Sequence, residues 1–178
     1  MCFRLSSTAS PEIRLAVPSA STGFRGAIEC LCAHDVAFIV VGGVAAVLNG
    51  APISTFDLDI VHERTPENVT RLMVALAALD ARYRDPAGRV LRPRADAIAG
   101  DGHHLLLTNC GPLDVLGRIG DGEGFEALQV ETRLHRLGER DVPVLNLSGL
   151  IRTKKAAGRA KDLAVLPILM RTLAESNG

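Results

Sequence analysis

The order of apolar runs and turn signals predicts an α/β (α+β) domain, a small mixed sheet flanked by helices and closed by further helices at the C-terminal end. Three observations carry this. Residues 36–41 (VAFIVV) form a short apolar, β-branched run of the kind a buried strand needs, and it ends at Gly42-Gly43. Phe56-Asp57-Leu58-Asp59-Ile60 alternates with the period of a strand. Val69, Leu72, Met73, Leu76 and Leu79 recur at helical spacing. Strands interleaved with helices argue for mixed layers rather than a bundle or a sandwich.

Residues 1–22 are rich in Ser, Ala and Pro and read as a flexible N-terminal arm; 23–178 reads as one domain. A helix is expected from about Gly23 to Ala33. The strand at 36–41 then turns through the two glycines into a short helix, 44–48. Gly50, Pro52 and Ser54 mark a loop. A second strand follows at 56–61, with Phe56, Leu58 and Ile60 toward the core. Thr65-Pro66 starts a helix, threonine as N-cap and proline at the first helical position. Residues 80–102 read as loop, with Arg82, Arg84, Arg89, Arg92 and Arg94. Residues 105–108 and 113–116 form a hairpin turned at Asn109-Cys110-Gly111-Pro112. Short strands are expected at 129–135 and 142–145. Ser148 is placed as the cap of a helix through Lys155, Gly158 interrupts it, and a last helix runs over about 159–173.

Composition narrows the function. With 178 residues and 47% hydrophobic residues the chain supports a real core. The formal net charge is +0, so any polyanion must be met by a local patch. There is no apolar run of about 18 residues, as a membrane span requires. The N-terminus shows no apolar signal core. Four cysteines in a chain of this length do not form a disulfide framework, and a reduced, cytoplasmic protein is expected. Cys30-Leu31-Cys32-Ala33-His34 has the wrong spacing for common zinc sites and reads as a helix with small apolar thiols. Aromatic residues are 3%, which leaves Phe56, Tyr83 and Phe125 as the few candidates for stacking on a base.

The two aspartates carry the chemistry. If 56–61 is a strand, Asp57 and Asp59 share the face away from the core. Two anions about 4–7 Å apart repel by several kcal/mol at an effective dielectric near 20. Such a pair holds a proton or binds a cation, and Mg²⁺ favours a few carboxylates with phosphate oxygens and water. Gly42-Gly43, between a strand and a helix, lets a phosphate approach the backbone. Leu113-Asp114-Val115 puts a third acid between apolar residues. Lys154, Lys155, Arg159 and Asp162 gather near the C-terminal end. Each of these alone fits an ordinary turn or solvated face; their order and spacing give them weight. No other phosphate-loop pattern occurs.

Val41-Gly42-Gly43, thirteen residues, then Asp57-Leu58-Asp59-Ile60 resembles the signature of the DNA polymerase β-type nucleotidyltransferase superfamily. The third acid of that pattern matches Asp114. The late Lys154-Lys155 before Arg159-Ala160-Lys161-Asp162 looks most like small bacterial nucleotidyltransferase-like proteins, including AbiEii- and MenT-type toxins. The resemblance covers about residues 36–166. It departs at Gly43, where many members carry serine; Ser54 or Thr55 is the candidate to supply the missing hydroxyl.

The resemblance implies a nucleotidyltransferase-like fold and transfer of a nucleoside monophosphate from an NTP to an acceptor hydroxyl. Asp57, Asp59 and Asp114 would hold two Mg²⁺ ions, and Gly42, Gly43, Ser54 and Thr55 would meet phosphates. Lys154 or Lys155 would neutralise the leaving pyrophosphate, with Arg159 and Asp162 supporting. The acceptor it implies is the tRNA 3′ end, for a toxin held by an antitoxin protein. Protein nucleotidylation, antibiotic nucleotidyl transfer and a non-catalytic nucleotide- or partner-binding module are the alternatives. The five arginines of 82–94 serve either as RNA phosphate contacts or as partners of Asp80, Asp85 and Asp96. His62, His103 and His104 read chiefly as structural.

Overall fold

The computed structural model describes residues 23–176; the arm expected over 1–22 lies outside the described residues. α1 (Phe24–Ala33) leads to β1 (Phe38–Val41), α2 (Gly42–Leu48), β2 (Leu58–His62) and α3 (Pro66–Ala78). Next come β3 (Arg82–Tyr83), α4 (Ala95–Ile98), β4 (His103–Thr108) and β5 (Gly111–Leu116). The chain continues with α5 (Phe125–Gln129), β6 (Thr132–Leu137), β7 (Arg140–Leu145), α6 (Leu147–Ala157) and α7 (Ala160–Ser176). The seven strands make one mixed sheet in the order β3-β4-β5-β2-β1-β7-β6. β2 runs parallel to β5 and β1 parallel to β7, while the other pairs are antiparallel.

The expected mixed α/β architecture is what the chain adopts. The central strands are apolar because both of their faces are covered: all four residues of β1 are buried, as are Leu58, Ile60 and Val61 of β2. On β2, Leu58, Ile60 and His62 share a face. His62 is bonded through Nε2 to the Ile98 carbonyl of α4 at 3.0 Å, so that face packs under α4. Asp59 points the other way, toward α2 and α6.

Thr65 caps α3 as expected, its hydroxyl accepting from the Asn68 N–H at 3.3 Å, with Pro66 following. Asn68 is buried and does something periodicity does not show. Its side chain accepts from the Ala37 N–H (2.7 Å) and donates to the carbonyls of Ala37 (2.9 Å) and Glu63 (2.8 Å). One amide thus ties α3 to the chain entering β1 and to the chain leaving β2.

Several expectations need correction. Phe56 is 86% exposed, because the strand begins only at Leu58 and Phe56 still belongs to the preceding turn. Residues 80–102 are not all loop: Arg82–Tyr83 pairs with β4, and 95–98 forms a helical turn. Gln129 closes α5, so β6 starts at Thr132. The cap of α6 is Asn146, whose side chain accepts from the Gly149 N–H at 2.9 Å; Ser148 is already inside the helix and exposed. Gly158 ends α6 at φ +62°, the left-handed conformation glycine adopts most readily. No helix among the described residues is long and apolar enough to cross a membrane.

Candidate active site

Strand register builds the acid cluster. Asp59 on β2 lies directly opposite Asp114 on β5, and on its other side opposite Val41, the last residue of β1. Asp57 sits in the turn just before β2. One carboxylate oxygen from each of Asp57, Asp59 and Asp114 lies within 4.8 Å of the other two. Among the described residues this is the one group of three or more metal-ligating side chains so arranged. The chemistry of the set, three hard oxygen donors partly or wholly sheltered, fits Mg²⁺ or Mn²⁺. Cys30, Cys32 and His34 form no such group. Burial pushes both thiols up, and the His34 ring bonds to the Cys30 carbonyl instead (2.8 Å).

The glycines matter for a reason the sequence does not reveal. A Cβ on Gly42 would lie 2.0 Å from Asp59 Oδ2, and Gly42 also has φ +64°. A Cβ on Gly43 would lie 2.4 Å from Thr55 Oγ1. The two residues therefore leave room for the Asp59 carboxylate and the Thr55 hydroxyl to reach the backbone. Gly43 N–H bonds to Asp59, and Thr55 Oγ1 donates toward Asp57 Oδ1 at 3.2 Å. Thr55 thus orients an acid of the cluster, a role distinct from the phosphate contact expected of it.

These residues line one cleft of about 880 Å³, within the range of small-molecule sites. Gly42, Gly43, Ser54, Thr55, Asp57, Asp59, Asp114, Lys154, Arg159 and Asp162 all face it. Lys155 does not: it is exposed outside the cleft, and Lys161 of α7 lines it. Arg84, Arg118 and His103 also line it. Arg84 was legible only as one of five loop arginines; it ion-pairs with Asp114. Arg89, Arg92 and Arg94 pair with Asp85, Asp80 and Asp96. His103 bonds to the Arg118 carbonyl at 2.8 Å, and buried His104 to the Tyr83 hydroxyl, also at 2.8 Å. His62 and His104 are structural. Phe56, Tyr83 and Phe125, the candidate stacking residues, do not line this cleft.

The electrostatics divide the cleft in two. Burial, then the neighbouring Asp57, pushes the Asp59 carboxyl up to about 6, against the pull of Lys154, the Gly43 N–H and Lys161. Asp162 is 2% exposed, and burial would raise it too. Hydrogen bonds from Arg159 Nε (2.5 Å) and Lys154 Nζ (3.0 Å) instead hold it below the usual carboxylate range. One end of the cleft has anions lacking a full set of counter-charges; the other has cations held in place by an acid.

No protein-family profile matches the chain, and no curated protein sequence matches it. Among solved structures, a "putative nucleotidyltransferase" from Thermotoga maritima is similar, at 18% identity and a TM-score of 0.48, over 85% of this chain and 90% of that one.

Proposed function

We propose that this protein is a metal-dependent nucleotidyltransferase, moving a nucleoside monophosphate from an NTP to an acceptor hydroxyl. The observation that carries the proposal is the triad itself: three carboxylates, from β2, the turn before it and the adjacent β5, converge in a cleft that Lys154, Arg159 and Lys161 also line. The Gly-Gly and Asp-x-Asp spacing of the sequence supports the same reading.

Asp57, Asp59 and Asp114 would hold the two Mg²⁺ ions. Bound there, the metal supplies charge neutralisation for the triphosphate and acidifies the acceptor hydroxyl. The chain's own groups do the rest. Lys154, Lys161 and Arg159 offer the charge that a departing pyrophosphate needs. Asp162 fixes Lys154 and Arg159 so that neither must be reoriented when substrate arrives. Thr55 keeps Asp57 turned toward its neighbours, and Gly42 lets Asp59 sit against the backbone. Asp114, buried at 8% exposure, would accept the proton of the acceptor hydroxyl.

For the acceptor we propose RNA, with the tRNA 3′ end as the specific case and toxin activity opposed by an antitoxin protein as the biological setting. The motif's likeness to AbiEii- and MenT-type toxins supports this. Arg84 lines the cleft and Arg82 and Arg89 line the second one beside it; with Arg92 and Arg94 they would meet the RNA backbone.

The test is to incubate the protein with Mg²⁺ and each α-labelled NTP in turn, with and without bacterial RNA, beside Asp59→Ala. Label is expected in RNA, lost by ~10²-fold or more in the variant, since removing a direct metal ligand should cost more than loss of a group that merely supports one. Label in the protein would move the acceptor to a protein hydroxyl. No NTP turnover with any acceptor, with no nucleotide binding, would end the proposal.

A further inference from the structure

Arg84 has two possible places to be. It follows β3 directly, and its backbone N–H donates to the Leu105 carbonyl at 3.0 Å. Leu105 lies opposite Asp114, and Asp114 opposite Asp59, so the arginine stands at the end of the row of residues that carries the acids. Its guanidinium lies against Asp114 Oδ1. That oxygen is buried and has no hydrogen bond of ordinary geometry from any group. The same arginine also lines a second, shallower cleft of about 650 Å³, together with Arg82, Arg89 and Leu107. Arg84 is therefore on the wall that the two clefts share.

A cation on Asp114 and a divalent metal on Asp114 compete for one carboxylate. A buried carboxylate without any counter-charge would be costly in the metal-free protein, and an arginine supplies the charge. From this we infer that Arg84 is a displaceable counter-ion: it occupies Asp114 while the metal is absent, and leaves for the second cleft when the metal arrives. Metal binding then delivers a free guanidinium beside Arg82, on the side from which an acceptor approaches. An acceptor carrying a phosphate next to its reactive hydroxyl would be met there only once the metal is in place. Arg84 acts here through Asp114 and is a positioning residue. The inference rests on the metal-binding role proposed above for the triad.

Mn²⁺ titration followed by electron paramagnetic resonance, without nucleotide, tests it on the wild type, Arg84→Gln and Arg84→Lys. Arg84→Gln should bind Mn²⁺ about tenfold tighter, the order expected when a charge-assisted competitor is removed. Its metal-free form should melt lower, and Arg84→Lys should stay near wild type on both counts. In parallel, the Arg84 Nη–H resonances should be protected from solvent exchange in the metal-free protein, where Nη2 meets Asp114, and lose protection on adding diamagnetic Mg²⁺. Unchanged or weaker Mn²⁺ affinity in Arg84→Gln, or Nη–H protection that survives Mg²⁺, overturns the inference while leaving the triad's metal role standing. A wild type that binds no Mn²⁺ overturns both.

Discussion

Asp59 and Asp162 line the same cleft, and burial raises the pKa of each, yet they end on opposite sides of the ordinary carboxylate value. At the β2–β5 end, strand register sets acids beside acids, and Asp57 adds to what burial does to Asp59. At the α6–α7 elbow, the helices bring Lys154 and Arg159 onto one acid, and hydrogen bonds outweigh burial. Both regions are built from local elements with ordinary geometry. What differs is whether the protein supplies the counter-charge itself. The acid end lacks a full set, which makes its three carboxylates the candidate cation site of the cleft.

The comparison can be broken most sharply by taking the repulsion away. A folded-state pKa raised from 3.8 to about 6 means that Asp59 costs the metal-free protein nothing well below pH 4. The penalty builds as pH rises from about 4 and is complete above about 6, where it reaches on the order of 2–3 kcal/mol. Asp59→Asn should therefore raise the metal-free melting temperature at pH 8, by about 5 °C, and leave it nearly unchanged at about pH 3, below both values. The same variant should lose the stabilisation that Mg²⁺ gives the wild type, which in turn should be larger at pH 8 than at pH 5. A thermal-shift series over pH, with Mg²⁺ and with chelator, reads all of this. A variant that melts lower than wild type at pH 8 would mean that Asp59 already has its counter-charge.

Asp162 predicts the opposite sign. Its lowered pKa contributes stability above the ordinary carboxylate range, and that contribution is lost as pH falls through the folded-state value. Asp162→Asn should cost about 2–3 kcal/mol at pH 7, since it leaves Lys154 partly buried without its acid. The loss should shrink under acid conditions, where the wild type also becomes protonated. Urea unfolding at pH 7 and at pH values well below the ordinary carboxylate range would check it. An equal loss at both would point to shape rather than charge.

What could be read in advance follows the range of each interaction. Asp57, Asp59 and the two glycines were legible because strand alternation and a turn are local. Asp114 was legible as an acid between apolar residues, and the sheet then put it opposite Asp59. Arg84 was not, because its link to Asp114 runs through two strand pairings that no sequence spacing encodes. Lys155 was expected in the cleft but sits about 100° around α6 from Lys154; Lys161 was not expected there, since the left-handed Gly158 resets the helical phase between α6 and α7. Phe56 looked like core because the alternation begins one turn before the strand does. Asn68 gave no signal at all, because a buried amide bonded to backbone looks like any surface polar residue in sequence.

The smallest effect concerns the start of α6, which aims Lys154 at the cleft. Serine is among the best N-cap residues, and Ser148 stands near the right place, but the backbone decides. Asn146 is extended (φ −72°, ψ 169°) and its side chain meets the Gly149 N–H, whereas Ser148 has entered the helix. Asn146→Ala should then lose about 1 kcal/mol, and Ser148→Ala should be neutral or slightly stabilising, because alanine has the better helix propensity. Denaturant midpoints of the two variants settle which residue is the cap, and the reverse order would place the start of α6 two residues later. That would also alter the angle at which Lys154 leaves the helix, so the cap and the Lys154–Asp162 hydrogen bond should weaken together in Asn146→Ala.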